Sequence, residues 1–362
     1  MPLSGDIAPA TDAPEPARPV AGASLGEVRQ PELSAILPLL RCPVDGTKLI
    51  WNQTENHLSC AHALHAFALE TDIPCLFAPN EWPAGKRDVT DLVKEFYEKT
   101  PFPNYDKLDT RDSLRQKAET AIFAKMLDEQ LPHSGHILEI GCGTGQMTNF
   151  LGMGWGRTVI GADLCMNSLK LAKGFRDRFV INNAHFVQVN LFRPPFEPAS
   201  FDVVIANGVL HHTSDCRGAF HSITRLVKPG GIIIVGLYNW LGRLPTLWLR
   251  RLKGSRAVMA FDRHLRRTDE GVHREAWFMD QYRHPHETRH SMDEVLEWFN
   301  AEAFDFTASI PTIGDTGFSE RTPLFEVRSA GRRRDRLSSE IEMLLTGGKD
   351  GGLFVMIGRK RL

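Results

Sequence analysis

The sequence lacks the features that would direct it into a membrane or into an extracellular disulfide framework. Its longest apolar run, Ile232 to Leu237 with neighbours, is far short of the ~20 residues that a membrane helix needs, and no signal-peptide-like apolar region occurs near the amino terminus. The six cysteines lie in apolar strand or turn contexts, without the spacing of a secreted disulfide framework. We therefore expect a soluble cytoplasmic protein without a membrane partner.

A strong excess of charge of either sign is also absent. The 362 residues carry a formal net charge of −1, and the pI is near 6.9. This balance gives no global attraction to nucleic acid or to anionic lipid, so any basic patch must be local. Because the length exceeds the usual ~100–200 residues of a single domain, we expect a main domain with an accessory segment.

What the sequence does have is a glycine-rich turn after a short apolar segment. The residues from His136 to Gly145 are HILEIGCGTG, and a helix is expected from Gln146. Glycine allows the backbone to turn sharply and to approach a ligand closely. A second apolar segment, Thr158 to Asp163, ends in an acid at the spacing that nucleotide-binding folds use to bind ribose hydroxyls. The pattern predicts a nucleotide-type cofactor site.

Two details argue against a dinucleotide. The turn has the spacing GxGxG, whereas a pyrophosphate-binding turn has GxGxxG. Glu139 also places a carboxylate just before the turn, where it would repel a diphosphate but attract a ligand with an amino group and a sulfonium. The sequence therefore favours a positively charged cofactor.

From His136 onward, apolar strand segments alternate with amphipathic segments, as a doubly wound sheet requires. The expected strands are 137–140, 158–163, 185–190, 201–207, 232–238, 304–310 and 353–357, and the expected helices are 146–151, 167–179, 215–227, 294–299 and 336–345. We predict an α/β Rossmann-like fold with a seven-stranded sheet, which carries a small β-rich ribbon at its amino terminus and a helical insertion after the fifth strand.

Four segments in this order resemble the motifs of class I S-adenosylmethionine-dependent methyltransferases. They are Glu139 to Gly145, Asp163, Phe201 to Val204 and Lys228 to Gly231, and the resemblance spans roughly residues 95 to 240. It implies that S-adenosylmethionine is the cofactor. The glycines would pass beside its methionyl part, Glu139 would meet the polar end and Asp163 the ribose. The full implied set is Glu139, Gly141, Cys142, Gly143, Gly145, Asp163, Leu164, Asn190, Leu191 and Asn207.

The adenine contact departs from the family pattern. The family often has an acid near position 190 that bonds the adenine amine, but this chain has Asn190 followed by Leu191. An amide oxygen accepts a hydrogen bond without carrying charge.

The segment Asn207 to His212 contains the sequence LHH, which methyltransferases acting on small molecules often carry at this strand end. His211 or His212 is a candidate general base because the unperturbed histidine pKa lies near 6.5. The alternative is that these histidines only pack or contact the rim of the cofactor site. Tyr238, at the end of the fifth strand, is a further candidate for shaping the acceptor pocket.

The amino-terminal part divides into three regions. Residues 1–30 are rich in Pro and Ala and are expected to be a disordered tail. Residues 31–82 resemble a degenerate zinc ribbon, in which Cys42 and Cys60 remain and Asp45, His62 or His65 are possible substitute ligands. The alternative is a ribbon without metal. Residues 83–131 are expected to be a helical lead-in, with a helix over 114–131 and with Phe96, Tyr97, Phe102 and Tyr105 forming a cofactor lid or plain packing.

The methyltransferase-like domain is assigned to residues 132–362, with an insertion over 240–290 that is rich in arginine and histidine. Tyr282, His284 and His286 in this insertion could form a lid, or they could be solvated. The favoured function is methyl transfer to a small, anionic metabolite. The alternatives are RNA methylation with the ribbon as substrate-binding element, and a catalytically silent cofactor-binding partner protein. The sequence does not decide the oligomeric state.

Overall fold

The computed structural model describes residues 33–62, 64–82, 85, 88–102, 105, 109–251, 275, 277–314, 319–346 and 349–362. All of them belong to one unit of the chain, residues 32–362. The predicted tail over residues 1–30 and much of the predicted insertion, residues 252–274 and 276, lie outside the described residues.

A single mixed sheet forms the centre of the described structure. Its strands are β1 Leu49–Asn52, β2 His57–Cys60, β3 Ala66–Glu70, β4 Ile73–Leu76, β5 Gly135–Ile140, β6 Arg157–Asp163, β7 Ala184–Val189, β8 Phe201–Asn207, β9 Val227–Tyr238, β10 Phe304–Ile310 and β11 Leu353–Lys360. The order across the sheet is β1-β2-β3-β4-β7-β6-β5-β8-β9-β11-β10. Strands β4 to β9 pair in parallel where they are adjacent, and both ends of the sheet are antiparallel.

The helices flank this sheet. They are α1 Leu33–Ile36, α2 Thr90–Lys99, α3 Arg111–Thr120, α4 Ile122–Gln130, α5 Gln146–Gly152, α6 Met166–Phe179, α7 Cys216–Thr224, α8 Leu244–Arg251, α9 Met292–Ala301 and α10 Arg333–Leu345. Side-chain caps start several of them: the hydroxyl of Ser291 accepts from the Glu294 amide at 3.1 Å, and Asp215 accepts from the Gly218 amide at 2.8 Å. Among the described helices, none has the length and apolar character needed to cross a membrane.

The predicted count of seven strands is wrong, because the sheet has eleven strands among the described residues. The seven expected strands correspond to β5–β11. The four additional ones come from the predicted ribbon, whose last strand β4 pairs in parallel with β7 through Cys75–Gln188 and Leu76–Val189. This pairing supplies hydrogen-bond partners to an edge that would otherwise be open.

The predicted helix over residues 114–131 is interrupted. α3 ends at Thr120 and α4 begins at Ile122, and between them Ala121 has extended backbone angles (φ −87°, ψ 91°). Ala121 lies on the wall of the cavity described below. Leu114, Lys117 and Ala118 of α3 and Ala124 of α4 line the same wall.

Both faces of the sheet are buried, as expected for a doubly wound fold. One apolar cluster packs α7 and α9 on the sheet through Phe220, Ile223, Trp298 and Phe299. The other packs α4 and α6 on the opposite face through Met126, Leu127, Leu169 and Ala172. Because β5, β6 and β8 are parallel, their carboxyl ends lie at one edge of the sheet. Ligands of doubly wound folds bind at such an edge, next to the topological switch point.

Candidate functional site

The glycine-rich turn lies where the sequence predicts it, between β5 and α5. Gly141, Gly143 and Gly145 have φ angles of +71°, +51° and +70°, in the left-handed region. A Cβ on Gly141 would lie 2.4 Å from Cγ2 of Val209, and one on Gly145 would lie 2.7 Å from the Cβ of Ala172. Backbone angle and close packing both require glycine here.

Replacing Gly141 with alanine is expected to destabilise the protein by about 2 kcal/mol, because the new methyl group meets Val209 and the left-handed angle strains any L residue. The matched control is Gly174→Ala in α6, where an added Cβ meets no atom within 4 Å. In a helix that change should be stabilising by up to about 1 kcal/mol. Urea unfolding of both variants checks this, and equal stabilities would contradict the packing described for Gly141.

Asp163 ends β6 and holds the glycine turn in place. One carboxylate oxygen accepts from the amide of Gly143 at 2.8 Å, and the other accepts from the amide of Cys165 at 2.8 Å. Burial raises the pKa of this carboxyl. A carboxylate has about four acceptor positions, so both oxygens can still accept from a ligand. The side chain predicted to bind ribose therefore also fixes the neighbouring loop.

Glu139 is buried at the end of β5. Its carboxylate accepts a short hydrogen bond from the hydroxyl of Thr148 in α5. Burial raises the pKa of Glu139 to about 7. The sequence gives no sign of the Thr148 contact, since a threonine inside a helix is compatible with many environments.

A cavity of about 450 Å³ connects these residues. Of the predicted cofactor residues, its lining includes Glu139, Gly141, Cys142, Gly143, Asp163, Leu164, Leu191 and Asn207. Gly145 lies behind this wall, against Ala172 and Phe186. Asn190 borders a smaller cavity of about 40 Å³ next to Leu164 and Leu191.

The side chain of Asn190 already has protein partners. Its amide nitrogen donates to the carbonyl of Ala78 at 2.8 Å and to Oδ1 of Asn80 at 2.7 Å, and its oxygen accepts from the Phe192 amide at 3.0 Å. These contacts fix the segment that follows β4. The role of Asn190 as a hydrogen-bond acceptor for adenine stays a prediction. Only the second lone pair of its side-chain oxygen could accept that bond.

The LHH segment forms a 3₁₀ turn over Leu210–His212 after β8. His211 is fully buried and packs with ring-centroid distances of 4.0 Å to Tyr238 and 4.2 Å to His212. Within the described part of the chain, neither ring nitrogen of His211 has a hydrogen-bond partner. Burial holds its pKa well below the usual range.

His212, unlike His211, lines the cavity. Its Nδ1 lies 2.9 Å from the carbonyl oxygen of His286, and its ring centroid lies 3.6 Å from that of His284. Burial lowers the pKa of His212 to about 4 and that of His284 to about 3. These rings are neutral at pH 7 and weak as bases, so the geometry favours packing over proton transfer. The general-base assignment for either LHH histidine stays a prediction.

A polar network that the sequence did not reveal also lines the cavity. The hydroxyl of Tyr97 donates to Asp280 at 2.8 Å, and the amide nitrogen of Gln281 donates to Asp280 and to the hydroxyl of Tyr238, each at 2.9 Å. All four residues line the cavity. Tyr238 was predicted to shape the acceptor pocket. Asp280 and Gln281 lie in a π-helical turn, Met279–Arg283, for which sequence periodicity gives no signal.

Arg243 supports this network from behind. It has no exposed surface, and its guanidinium lies 3.7 Å from the ring centroid of Tyr238. It also pairs with Glu287 at 2.8 Å and donates to Oε1 of Gln281 at 2.5 Å. Arg243, which belongs to the insertion that is rich in arginine, is therefore a buried structural residue.

The four aromatic residues named for a lid or for plain packing divide into two pairs, and the lid stays a prediction. Tyr97 and Phe102 line the cavity. Phe96 packs on His284 at 5.1 Å, and Tyr105 stacks on Phe175 at 4.3 Å, where its hydroxyl accepts from Asn149 at 2.9 Å. His284, for which a solvated position was an alternative, is buried against this segment.

A second group of chemically reactive side chains lies in the amino-terminal strands. Cys42, Asp45, Cys60 and His65 place their possible ligand atoms within 4.8 Å of one another. Nδ1 of His65 lies 3.7 Å from each cysteine sulfur and 3.3 Å from Oδ2 of Asp45. Of the two histidines that the sequence offered, His65 belongs to this group, whereas His62 is exposed outside it.

The central segment is similar to known proteins. Residues 138–235, from β5 into β9, match a family model described as a methyltransferase domain. A Synechococcus protein of unnamed activity is 26% identical over 211 residues, which is 51% of this chain and 48% of that protein. The demethylmenaquinone methyltransferase of Lactococcus lactis is 34% identical over 134 residues, covering 36% of this chain and 52% of the enzyme.

The chain spans about half the length of these curated relatives. Among solved structures, phosphoethanolamine N-methyltransferase 2 of Haemonchus contortus in complex with S-adenosyl-L-methionine aligns with a TM-score of 0.43 and 17% identity, over 78% of this chain and 62% of that one. The segment that matches the family model, residues 138–235, includes the glycine turn, Asp163 and the Leu210–His212 turn.

Proposed function

We propose, from the premise that this chain contains a class I S-adenosylmethionine-dependent methyltransferase domain, that it transfers a methyl group from S-adenosylmethionine to a small molecule. The observation that carries the proposal is the cavity of about 450 Å³ between two different walls. One wall consists of the glycine turn with Glu139 and Asp163. The other is the network of Tyr97, Asp280 and Tyr238. One wall can hold a donor while the other holds an acceptor.

The residues present fit this methyl donor. Asp163 would accept hydrogen bonds from the ribose hydroxyls, and Glu139 would compensate the positive charge of the methionyl part. When bound, S-adenosylmethionine supplies a methyl group activated by its sulfonium. The chain holds the two reactants in line and excludes water, and such positioning is worth up to ~7–11 kcal/mol in the best oriented cases.

The dimensions and lining of the cavity favour a small acceptor. Its volume lies within the ~300–1,000 Å³ that small-molecule sites occupy. Much of the lining is apolar, including Phe102, Leu114, Met147, Phe150 and Trp277. The Lactococcus lactis relative is named as a methyltransferase of demethylmenaquinone, which supports a small acceptor of apolar character.

An anionic acceptor, as proposed from the sequence, receives little support from the charged residues. The charged residues in the described part of the cavity wall are one lysine, Lys117, and three acids, Glu139, Asp163 and Asp280. Arg243 is occupied by Glu287 and by the ring of Tyr238. We therefore propose a neutral, largely apolar acceptor.

A methyl-transfer screen tests the proposed function. The protein is incubated with S-adenosylmethionine carrying a labelled methyl group and with a cell extract separated into small-molecule and RNA fractions. Label is expected in the small-molecule fraction. Label confined to RNA would favour the rival function, and an absence of label from both, with S-adenosylmethionine bound, would favour a silent cofactor-binding protein.

The affinity for S-adenosylmethionine is expected to fall as the pH drops below about 7. Burial raises the pKa of Glu139 to about 7, and its ionised form is the one that attracts a positively charged ligand. Affinity is therefore full above this pKa and is lost as pH falls through it, by up to about tenfold per pH unit. Calorimetric titrations at pH 6 and pH 8 measure the change. Glu139→Gln should flatten the profile, and a wild-type affinity that is equal at both pH values would exclude this role.

We also propose that Cys42, Asp45, Cys60 and His65 bind one zinc ion. The set provides four ligands of types that zinc accepts, at mutual distances suited to a tetrahedral site. The amide and the hydroxyl of Thr47 donate to Oδ1 of Asp45 at 2.9 and 2.7 Å, which orients Oδ2 toward His65.

Elemental analysis of the purified protein tests the zinc proposal. About one equivalent of zinc is expected, and Cys60→Ser should lower the content severalfold because it removes a thiolate ligand. The control is Cys75→Ser, which changes a thiol in the neighbouring β4 that is outside the group. Less than about a tenth of an equivalent in the wild-type protein would leave a ribbon without metal.

A further inference from the structure

Asp280 is a buried carboxyl group in the cavity wall to which the proposed methyl donor gives no role. It lies in the π-helical turn and is 5% exposed. Its Oδ1 accepts from the hydroxyl of Tyr97 at 2.8 Å, and its Oδ2 accepts from the amide nitrogen of Gln281 at 2.9 Å. Both donors are uncharged. Within the described residues no cation pairs with this carboxyl, since the neighbouring Arg243 is paired with Glu287 at 2.8 Å.

A carboxyl group in this environment can take up a proton from a ligand. A carboxylate has about four acceptor positions, and the two hydrogen bonds leave about two of them for a group in the cavity. Burial raises the pKa of Asp280, although the hydrogen bond from Tyr97 partly opposes the shift. A carboxylate becomes a better general base as its pKa rises toward the working pH.

Tyr97 connects Asp280 with the proposed donor site. Burial raises the pKa of the Tyr97 hydroxyl well above its usual range, and the charges of Asp280 and, more weakly, Asp163 raise it further. Both carboxyl groups are therefore within electrostatic reach of one hydroxyl group, and both line the same cavity. A ligand that contacts Asp280 is thus near the site that the proposed function gives to the methyl donor.

The other carboxyl and imidazole groups of the described cavity wall are less suited to accept this proton. Under the proposed function, Glu139 and Asp163 contact the methyl donor. Burial lowers the pKa of His212 to about 4, which makes its ring a weak base. Among the acids and histidines of the described wall, Asp280 therefore remains for the acceptor.

The charge of the wall indicates which acceptor needs such a group. Three acids against one lysine disfavour an acceptor that enters as an anion. A neutral hydroxyl group enters with its proton and is a weak nucleophile until the proton is removed, whereas a neutral amine already has a free electron pair. A phenol or enol, with a pKa near 10 for a phenol, suits a carboxylate that accepts the proton in the transition state. We propose that Asp280 is the catalytic base and that the acceptor presents a hydroxyl group of this type to it.

In this step, which rests on the proposed function, the O–H bond of the acceptor breaks and its proton moves to Asp280. The oxygen forms a bond with the methyl carbon while the bond between that carbon and sulfur breaks, and the electron pair of the broken bond stays on sulfur. The products are a methyl ether, S-adenosylhomocysteine and a protonated carboxyl group, which then releases its proton to water. Charge is conserved, because the carboxylate is neutralised as the sulfonium loses its positive charge.

Methyl transfer by Asp280→Asn tests the inference. The acceptors are the small-molecule fraction of the cell extract, and S-adenosylmethionine carries an isotope-labelled methyl carbon, whose NMR shift distinguishes methyl on oxygen from methyl on nitrogen or carbon. The matched control is Glu340→Gln. It also replaces a buried carboxylate that accepts from uncharged donors, the side chains of Asn239 and Trp240, but Glu340 is not among the residues that line this cavity. Calorimetric binding of S-adenosylmethionine monitors the fold and the donor site.

At pH 8 the wild-type protein and Glu340→Gln are expected to form a methyl ether at equal rates. Asp280→Asn should be slower by about a hundredfold or more, because general-base assistance contributes ~10²–10⁴-fold. The affinity for S-adenosylmethionine should equal that of the wild-type protein in both variants, since neither residue contacts the proposed donor.

A higher pH should partly restore Asp280→Asn. As the pH approaches the pKa of the acceptor, near 10 for a phenol, the hydroxyl ionises without a base, so the rate of the variant should rise by up to about tenfold per pH unit between pH 8 and pH 9.5. The groups that face Asp280 do not titrate in this range. Burial raises the pKa values of Tyr97 and Tyr238 and lowers that of His284 to about 3, and Arg243 stays charged.

Three results would overturn the inference alone. They are wild-type transfer by Asp280→Asn at pH 8, a loss of transfer that is the same at pH 8 and pH 9.5, and methyl on nitrogen or carbon of the wild-type product. Weaker binding of S-adenosylmethionine by Asp280→Asn would also overturn it, because the carboxyl would then belong to the donor site. An absence of label with the wild-type protein would instead remove the proposed function, and this step with it.

Discussion

Replacing Asp163 with alanine is expected to weaken the binding of S-adenosylmethionine by at least about a hundredfold. Hydrogen bonds to a charged group contribute ~1.5–3 kcal/mol each, and the ribose offers two hydroxyls to this carboxylate. The change also removes the acceptor of the Gly143 and Cys165 amides, which lie 2.8 Å from its oxygens. The glycine turn would then lose one of its supports. Isothermal titration calorimetry of the variant beside the wild-type protein measures the loss.

The control for Asp163→Ala is Asp305→Ala, which removes a partly exposed carboxylate at the start of β10, paired with Arg361 at 2.8 Å. Its affinity for S-adenosylmethionine should equal that of the wild-type protein. Asp163→Asn should give an intermediate loss of affinity, because its amide oxygen can accept from only one of the two loop amides and carries no charge. An unchanged affinity in Asp163→Ala would remove this residue from the donor site.

Replacing Arg243 with methionine is expected to destabilise the protein by about 3 kcal/mol. Removal of one partner from a buried ion pair leaves the other charge without full compensation, and such losses amount to ~3–5 kcal/mol. Here Glu287 keeps its second partner, Arg250, which places the expected loss at the lower end. The cation–π contact with Tyr238 and the hydrogen bond to Gln281 also disappear. Urea unfolding at constant pH measures the change.

Arg361→Met is the control for Arg243→Met. Arg361 is 47% exposed in its ion pair with Asp305, and exposed pairs contribute only ~0–1 kcal/mol. If both variants lose similar stability, the buried ion pair of Arg243 stabilises the protein no more than an exposed ion pair does. Other contacts must then stabilise the cavity wall. If Arg243→Met alone loses stability, its affinity for S-adenosylmethionine should still be close to the wild-type value, because Arg243 contacts Tyr238 and Gln281 and not the glycine turn.

Hydrophobic periodicity predicted most of the fold. β8 and β10 begin and end at the expected residues, and α5 and α6 differ from the expected helices by one residue at one end. Buried strands of this kind are determined by a short continuous apolar run with polar or glycine residues at its ends, which the sequence shows directly. The positions of Glu139, the glycines and Asp163 were predictable for the same reason, since they follow from the strand ends.

The remaining features depend on contacts between distant parts of the chain. The pairing of β4 with β7 joins segments more than a hundred residues apart, so local pattern could not predict an eleven-stranded sheet. The contact of Asp280 with Tyr97 spans 183 positions. His211 and His212 have the residue type of a general base, but burial makes them weak bases, and burial at this level is a tertiary property.

The central claim is that the wall formed by the glycine turn, Glu139 and Asp163 binds a methyl donor. Calorimetric titration of the full chain at pH 8 with S-adenosylmethionine, and separately with NAD, tests it most directly. We expect S-adenosylmethionine to bind at one site per chain and NAD to give no heat of binding, because Glu139 repels a diphosphate. Binding of NAD in preference to S-adenosylmethionine, or no binding of S-adenosylmethionine at millimolar concentration, would contradict the claim.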